Sequence, residues 1–235
     1  MKTFEVKQYR NARDDTVYED ILSHCKKPET GESRYTNAHE TSHYISSELR
    51  KSNPGKVNGF YILNDMAVIV EEPHITIKDV GEYIPINLRG MRYKLYFVDQ
   101  LKYWNDNPLY ILEEFNCYIL GGMTAIDDFK RKVKLERTDA VAGCFEFMIY
   151  SIALARCIKD KDKDYWNKNI QFKDFLCFEL NRAMFTYKVG RDVEEFKSKT
   201  SDNLQKMFDS SKEGYEFKEF YKEINMVNWT LDEIF

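Results

Sequence analysis

Histidine, proline, glycine and cysteine are all scarce in this sequence, and each scarcity removes a class of protein. The five cysteines are odd in number, widely spaced and form no CxxC pair. Neither a disulfide framework nor a cysteine-rich zinc ribbon is therefore expected, and free thiols in a reducing compartment are the simplest reading. With only 10 glycines and 5 prolines in 235 residues, fibrous and low-complexity classes drop out. No apolar run is long enough to span a bilayer. The longest, Phe147 to Ala155, is broken by Ser151 and bounded by Glu146 and Arg156. The opening "MKTFEVKQYRNARDD" turns polar at once and contains no apolar leader segment, so a cytoplasmic location is expected, with non-classical export the alternative. An excess of positive charge is missing too. The 35 basic residues are interleaved with 39 acidic ones for a net charge of -4, which gives no electrostatic footprint for nucleic acid.

What is present is the composition of a soluble globular protein, 43% hydrophobic and 31% charged, with length enough for a sizeable core. A helix is predicted around "DTVYEDILSHC", then a break at "KKPETGES". A second helix is predicted from Thr36 or Asn37, either of which could cap it, to Lys51, ended by Pro54-Gly55. "GFYILND" and "MAVIVEE" read as strands of a hairpin turning at Asn64-Asp65. "ITIKDVGEYIP" reads as a short helix or strand, and "RYKLYFV" (92–98) as a third strand. After residue 106 the pattern is helical. Asn107 is expected as a cap, Pro108 as the first helical residue and Gly121-Gly122 as the stop. "DAVAGCFEFMIYSIALARCI" is apolar nearly all round and reads as a buried central helix. "KDKDKD" (159–164) reads as a solvated connector. Amphipathic helices are predicted near 171–188, 192–209 and 215–224. The expected fold is a single mainly helical α+β unit over 1–235, with a small antiparallel sheet and the HExxH helix in 1–105 and a helical part in 106–235.

Two of only four histidines fall in one pentapeptide, His39-Glu40-Thr41-Ser42-His43. On a helix, residues four apart share a face, so His39 and His43 can present two imidazole nitrogens to one metal ion. Glu40 lies ~100° round the helix, too far to ligate but able to reach a water on that metal. Zinc lowers the pKa of its water toward ~7, and a carboxylate beside it can take the proton as the water attacks a carbonyl. Two histidines on an exposed helix are often only solvated, but Ala38, Ile45 and Leu49 give this helix an apolar stripe that must pack against something.

A catalytic zinc needs a third protein ligand. His74, after Pro73, is one candidate. A carboxylate on "PLYILEEFNCYILGG" is a better one, because an acid on an apolar helix is costly unless paired or coordinated. Periodicity leaves Glu113 and Glu114 equal. Glu113 shares a face with Leu109, Asn116 and Cys117, and Glu114 with Tyr110, Cys117 and Tyr118. Glu146 in "CFEFMIY" is a third acid in an apolar helix; it would otherwise partner a buried Tyr or Arg, or a ligand histidine.

His39, Glu40 and His43 with a carboxylate on a later helix resemble the zincin metallopeptidases, and their glutamate-ligand branch, the gluzincins, is the nearer likeness. "EEFNCYILGG" is similar to the acid-aromatic-x-x-Tyr helix that follows HExxH in peptidase-like bacterial proteins. The likeness covers about 30 residues. It implies zinc as cofactor, a peptide or protein substrate, Glu40 as general base and Glu114, the acid before Phe115, as third ligand. No HxxGxxH extension is present, so a metzincin is not implied. Such enzymes need an electrophile for the oxyanion, and Tyr93, Tyr96, Tyr118 and His74 are the candidates. "MAVIVEEPHI" could be an edge strand receiving an extended peptide, though an ordinary hairpin strand is the plainer reading. The alternatives to a zinc peptidase are a non-catalytic zinc-stabilised binding or effector protein with a degenerate HExxH site, and a helical interaction module without metal.

Overall fold

The structure is a computed structural model, described here for residues 1–134 and 137–225. It is a mainly helical α+β fold with one three-stranded antiparallel sheet. A short strand β1 (Phe4–Glu5) precedes helix α1 (Val17–Ser23), which is capped by the Thr16 hydroxyl accepting from the Glu19 amide at 3.1 Å. Helix α2 (Arg34–Ser52) carries the HExxH pentapeptide and begins two residues earlier than expected, after Ser33. Asn37 is not its cap. It is buried in the helix and clamps the preceding loop, accepting from the Glu32 amide at 3.1 Å and donating to the Glu32 carbonyl at 2.8 Å. Ala38, Ile45 and Leu49 are all buried, as their spacing requires.

Strands β2 (Val57–Tyr61) and β3 (Met66–Glu71) form the expected hairpin, paired from Val57↔Glu71 to Tyr61↔Ala67. Leu63, Asn64 and Asp65 turn it with φ of 76°, 53° and 62°, a left-handed run that Asn and Asp tolerate. The third strand is β1, not residues 92–98, and it pairs with β3. β3 is thus central, with Met66 and Ala67 of its outer edge covered by β1. The segment 92–98 is helical instead, with a π-turn at Leu95–Asp99. Its inward side chains are Arg92, Tyr96 and Phe97, while Leu95 and Val98 remain exposed. Spacing of four and five belongs to a helix, and the apparent alternation was misleading.

Helix α3 (Ile77–Glu82) starts with a reciprocal Thr76–Asp79 capping box, and α4 (Leu101–Trp104) is a single turn. Helices α5 (Tyr110–Lys130), α6 (Ala140–Lys161) and α8 (Ile170–Gly190) pack against one another, and their apolar side chains make up much of the main core. α5 begins after Leu109 rather than at Pro108, and the Leu109 amide donates to Glu72 Oε2 at 2.9 Å. Gly121-Gly122 does not stop it. A Cβ at Gly121 would stand 3.1 Å from the Tyr35 carbonyl, and one at Gly122 would stand 2.9 Å from Thr186 Cγ2. The pair admits α2 and α8 close to α5, so its role is packing, and α5 runs two turns further. "KDKDKD" is not a linker either: α6 takes its first half, and Asp162 caps α7 (Lys163–Lys168). Helices α9 (Lys199–Ser210) and α10 (Lys212–Asn225) follow. α6 is long and apolar enough to cross a membrane, but 94% of its apolar window is buried inside the protein, as in the core helix of a soluble fold.

Glu72 supplies a pH test of this packing. Burial pushes its carboxyl from 4.5 up to about 7, against the Leu109 amide that lowers it. A folded-state pKa above the unfolded one means that the native state holds the extra proton. Its contribution to stability is full below pH 4.5 and is lost as pH rises through about 7. Glu72→Gln is expected to remove that loss, by on the order of 3 kcal/mol between pH 4 and 8 relative to wild type in urea unfolding. Parallel wild-type and variant pH profiles would show that Glu72 is not desolvated in solution.

Candidate metal centre

α2 lies along α5, and the face carrying His39 and His43 meets the face carrying Glu113 and Glu114. The imidazole centroids stand 4.9 Å apart, one helical turn along α2. His39 Nε2 is 3.5 Å from Glu114 Oε2, and His43 Nε2 is 3.3 Å from Glu114 Oε1. One ligand atom from each of the three residues lies within 4.8 Å of the others. Ligands ~2.0–2.1 Å from a tetrahedral zinc stand ~3.3 Å from one another, so the spacing fits an ion between them. Two imidazoles and one carboxylate are also a donor set that zinc accepts.

The surroundings orient these donors. His43 Nδ1 is 2.9 Å from Glu113 Oε1. A carboxylate only accepts, so Nδ1 carries a proton. Burial opposes charge on His43, but Cys117, Glu114 and Glu113 raise its pKa well above the usual imidazole value, so Nε2 would release its proton on presenting a lone pair to a metal. The other Glu113 oxygen accepts from Arg50 and, at 2.9 Å, from Asn58 Nδ2. Glu114 is buried and takes the Tyr96 hydroxyl on Oε2 at 3.0 Å and the Tyr110 hydroxyl on Oε1 at 2.5 Å. Burial opposes its charge, yet His43 and His39 outweigh burial and hold its pKa well below the carboxylate range. Burial and Glu114 push the phenols of Tyr96 and Tyr110 far up, so both remain neutral donors. Cys117, one turn along α5, lies beside His43, and burial pushes its thiol up to about 12.

His39 sits edge-on to Tyr118, with centroids 4.6 Å apart. The Tyr118 oxygen accepts from Arg92 Nε at 2.9 Å. Arg92 in turn is bound by Glu146 at 2.9 Å and Asp139 at 2.5 Å. Glu146 also accepts from the Arg92 amide and the Tyr150 hydroxyl, each at 2.7 Å. Its carboxylate is therefore consumed by a buried Arg and Tyr, and it does not join the histidines. Nor does His74, whose side chain is 90% exposed and pairs with Asp162. Tyr93 is also elsewhere, donating to the Gly81 carbonyl at 3.3 Å under Arg89. Glu40 is exposed and has no hydrogen-bonding or ionic partner among the described residues.

The sequence reading missed Tyr110, Arg50, Asn58 and Arg92. Tyr110 and Arg50 left a signal, standing four residues before Glu114 and seven after His43 on shared helix faces. Asn58 and Arg92 left none, since only tertiary packing brings them in.

Glu113→Gln is expected to weaken zinc binding ~10–100-fold, because it replaces the anion that fixes the His43 proton and leaves Arg50 without its counter-ion. Competition with a chromophoric chelator measures this. Unaltered affinity would reduce Glu113 to a packing role. Comparison with family models, curated proteins and solved structures returned no match for the chain.

Proposed function

We propose that the protein is a zinc-dependent peptidase of zincin type, with His39, His43 and Glu114 as ligands and Glu40 as general base. The observation that carries this reading is the convergence of those three donors, with the next residue along α2 after His39 an exposed carboxylate that no described residue engages. A zinc ion held there would supply Lewis acidity toward a peptide carbonyl and toward water. His39 and His43 bind through Nε2. Glu113 fixes the His43 tautomer, and Tyr96 and Tyr110 hold the two oxygens of Glu114. Glu40, on the solvent side of α2, takes a proton and returns it to the leaving amine. Tyr96 already donates to Glu114, so of the expected electrophiles Tyr118 is the one left to donate to an oxyanion. Its oxygen accepts from Arg92 and also meets the Tyr96 hydroxyl, so its proton would have to turn toward the substrate to serve. The substrate is a peptide or protein rather than a nucleic acid. The location is cytoplasmic, in keeping with five cysteines that are all unpaired.

A second reading, a non-catalytic zinc-stabilised binding protein, is favoured by Cys117. A thiol beside His43, on the helix that carries Glu114, could occupy the fourth position and close the site. The test is elemental analysis of the purified chain, X-ray absorption at the zinc edge and turnover of a broad peptide library. One zinc per chain with only nitrogen and oxygen neighbours, and hydrolysis abolished by chelation and restored by zinc, is the expected result. Sulfur in the shell with no hydrolysis would establish the second reading. Absence of zinc after reconstitution would remove both.

A further inference from the structure

A second donor cluster lies apart from these residues. His24, just past the end of α1, has a side chain fully shielded from solvent. Its Nδ1 is 3.1 Å from the Lys7 carbonyl. A carbonyl only accepts, so Nδ1 carries the proton. Its Nε2 is 2.8 Å from Asp65 Oδ1 in the left-handed turn and 3.8 Å from Asp20 Oδ1 on α1. A neutral His24 would therefore aim a lone pair at two carboxylates, three acceptors with no donor among them. A proton on Nε2, a water donor or a bound cation would resolve it, since the Asp20 and Asp65 side chains are 25% and 59% exposed.

A proton on Nε2 is the smallest candidate, but it satisfies only Asp65. At 3.8 Å, Asp20 Oδ1 is beyond hydrogen-bond reach, and it accepts no hydrogen bond among the described residues. It is nevertheless held in place, because Asp20 Oδ2 accepts from the Tyr61 hydroxyl at 3.0 Å and the Asn64 amide at 3.1 Å. An ion bonded to Nε2 would reach all three ligand atoms, which lie within 4.8 Å of one another. It would also offset the two negative charges. We propose that His24, Asp20 and Asp65 form a second divalent-cation site that ties α1 to the β2–β3 turn. One nitrogen and two carboxylate oxygens, with Asp65 half open to solvent, suit a borderline-hard ion that keeps water ligands, such as Mn²⁺ or Zn²⁺.

The site pins the N-terminal segment as well. The Val6 amide donates to the Asp65 carbonyl at 2.7 Å, and the Tyr9 amide to the Ser23 carbonyl at 2.8 Å. A filled site would therefore brace β1, α1 and the turn together.

The probe is Mn²⁺ added to the full-length chain, with zinc content measured separately so that the His39/His43/Glu114 centre is followed independently. Equilibrium dialysis should show one bound Mn²⁺, with paramagnetic broadening centred on the His24 and Asp65 signals. Asp65→Asn should weaken Mn²⁺ binding at least ~10-fold while leaving zinc content unchanged. Asp65 is exposed, and asparagine accepts its positive φ, so this variant should fold. Equal binding by wild type and Asp65→Asn would overturn the proposal. So would a ¹⁵N spectrum in saturating Mn²⁺ with both His24 nitrogens protonated and unbroadened, which would leave an imidazolium in place of the ion.

Discussion

Replacing Glu40 with glutamine is expected to leave zinc content unchanged and lower peptide hydrolysis by at least ~100-fold, the smaller end of what a general base contributes. The two effects separate because Glu40 is not among the converging donors and has no described partner to lose. Its position early in α2 tolerates glutamine with little change in helix propensity. His39→Ala and His43→Ala should behave differently, losing metal and turnover together, since each removes a donor. Zinc content and rate measured on the same preparations distinguish the classes. Undiminished turnover in Glu40→Gln would remove the mechanism even with zinc in place.

Arg92→Met is expected to cost ~3–5 kcal/mol, a large share of the ~5–15 kcal/mol that holds a typical domain folded. Arg92 and Glu146 are both buried, and Arg92 also meets Asp139 and the Tyr118 oxygen. Methionine fills the stem but leaves the Glu146 carboxylate with only the residue 92 amide and Tyr150 as donors. Adding Glu146→Leu should recover much of the loss, because the pair's removal also removes its desolvation cost. Urea unfolding of the two variants reads this directly. A cost below ~1 kcal/mol for the single change would mean that water reaches Glu146.

Helices were legible from periodicity, as in α2 and α8, although the cap expected for α2 was misplaced, and the hairpin was legible from Asn64-Asp65. Residues 92–98 were not. Tyr93, Leu95 and Phe97 alternate on paper, but the side chains that bury are Arg92, Tyr96 and Phe97, and the choice is made by α5 and α6 rather than by local pattern. Gly121-Gly122 misled in a related way. Glycine marks a helix end when backbone freedom is needed and a helix crossing when space is needed, and one sequence does not separate the two. At the centre, the His39/His43 spacing was visible because both lie on one helix. Which of Glu113 and Glu114 faces both histidines was not legible from periodicity, since adjacent residues differ only by a rotation of α5 that the rest of the core sets. The doublet works as a pair: one acid faces both histidines, and its neighbour holds the second of them.

That pairing runs on to the sheet. Glu113 is held by Asn58 of β2, so the chain of contacts from His43 ends on a strand amide side chain rather than in solvent. An occupant of the donor cluster would then act as a folding ligand. At a thousandfold excess over its dissociation constant it would add ~4 kcal/mol to native stability. Amide hydrogen exchange along β2, a strand with no ligand of its own, would slow or quicken with metal occupancy on α2.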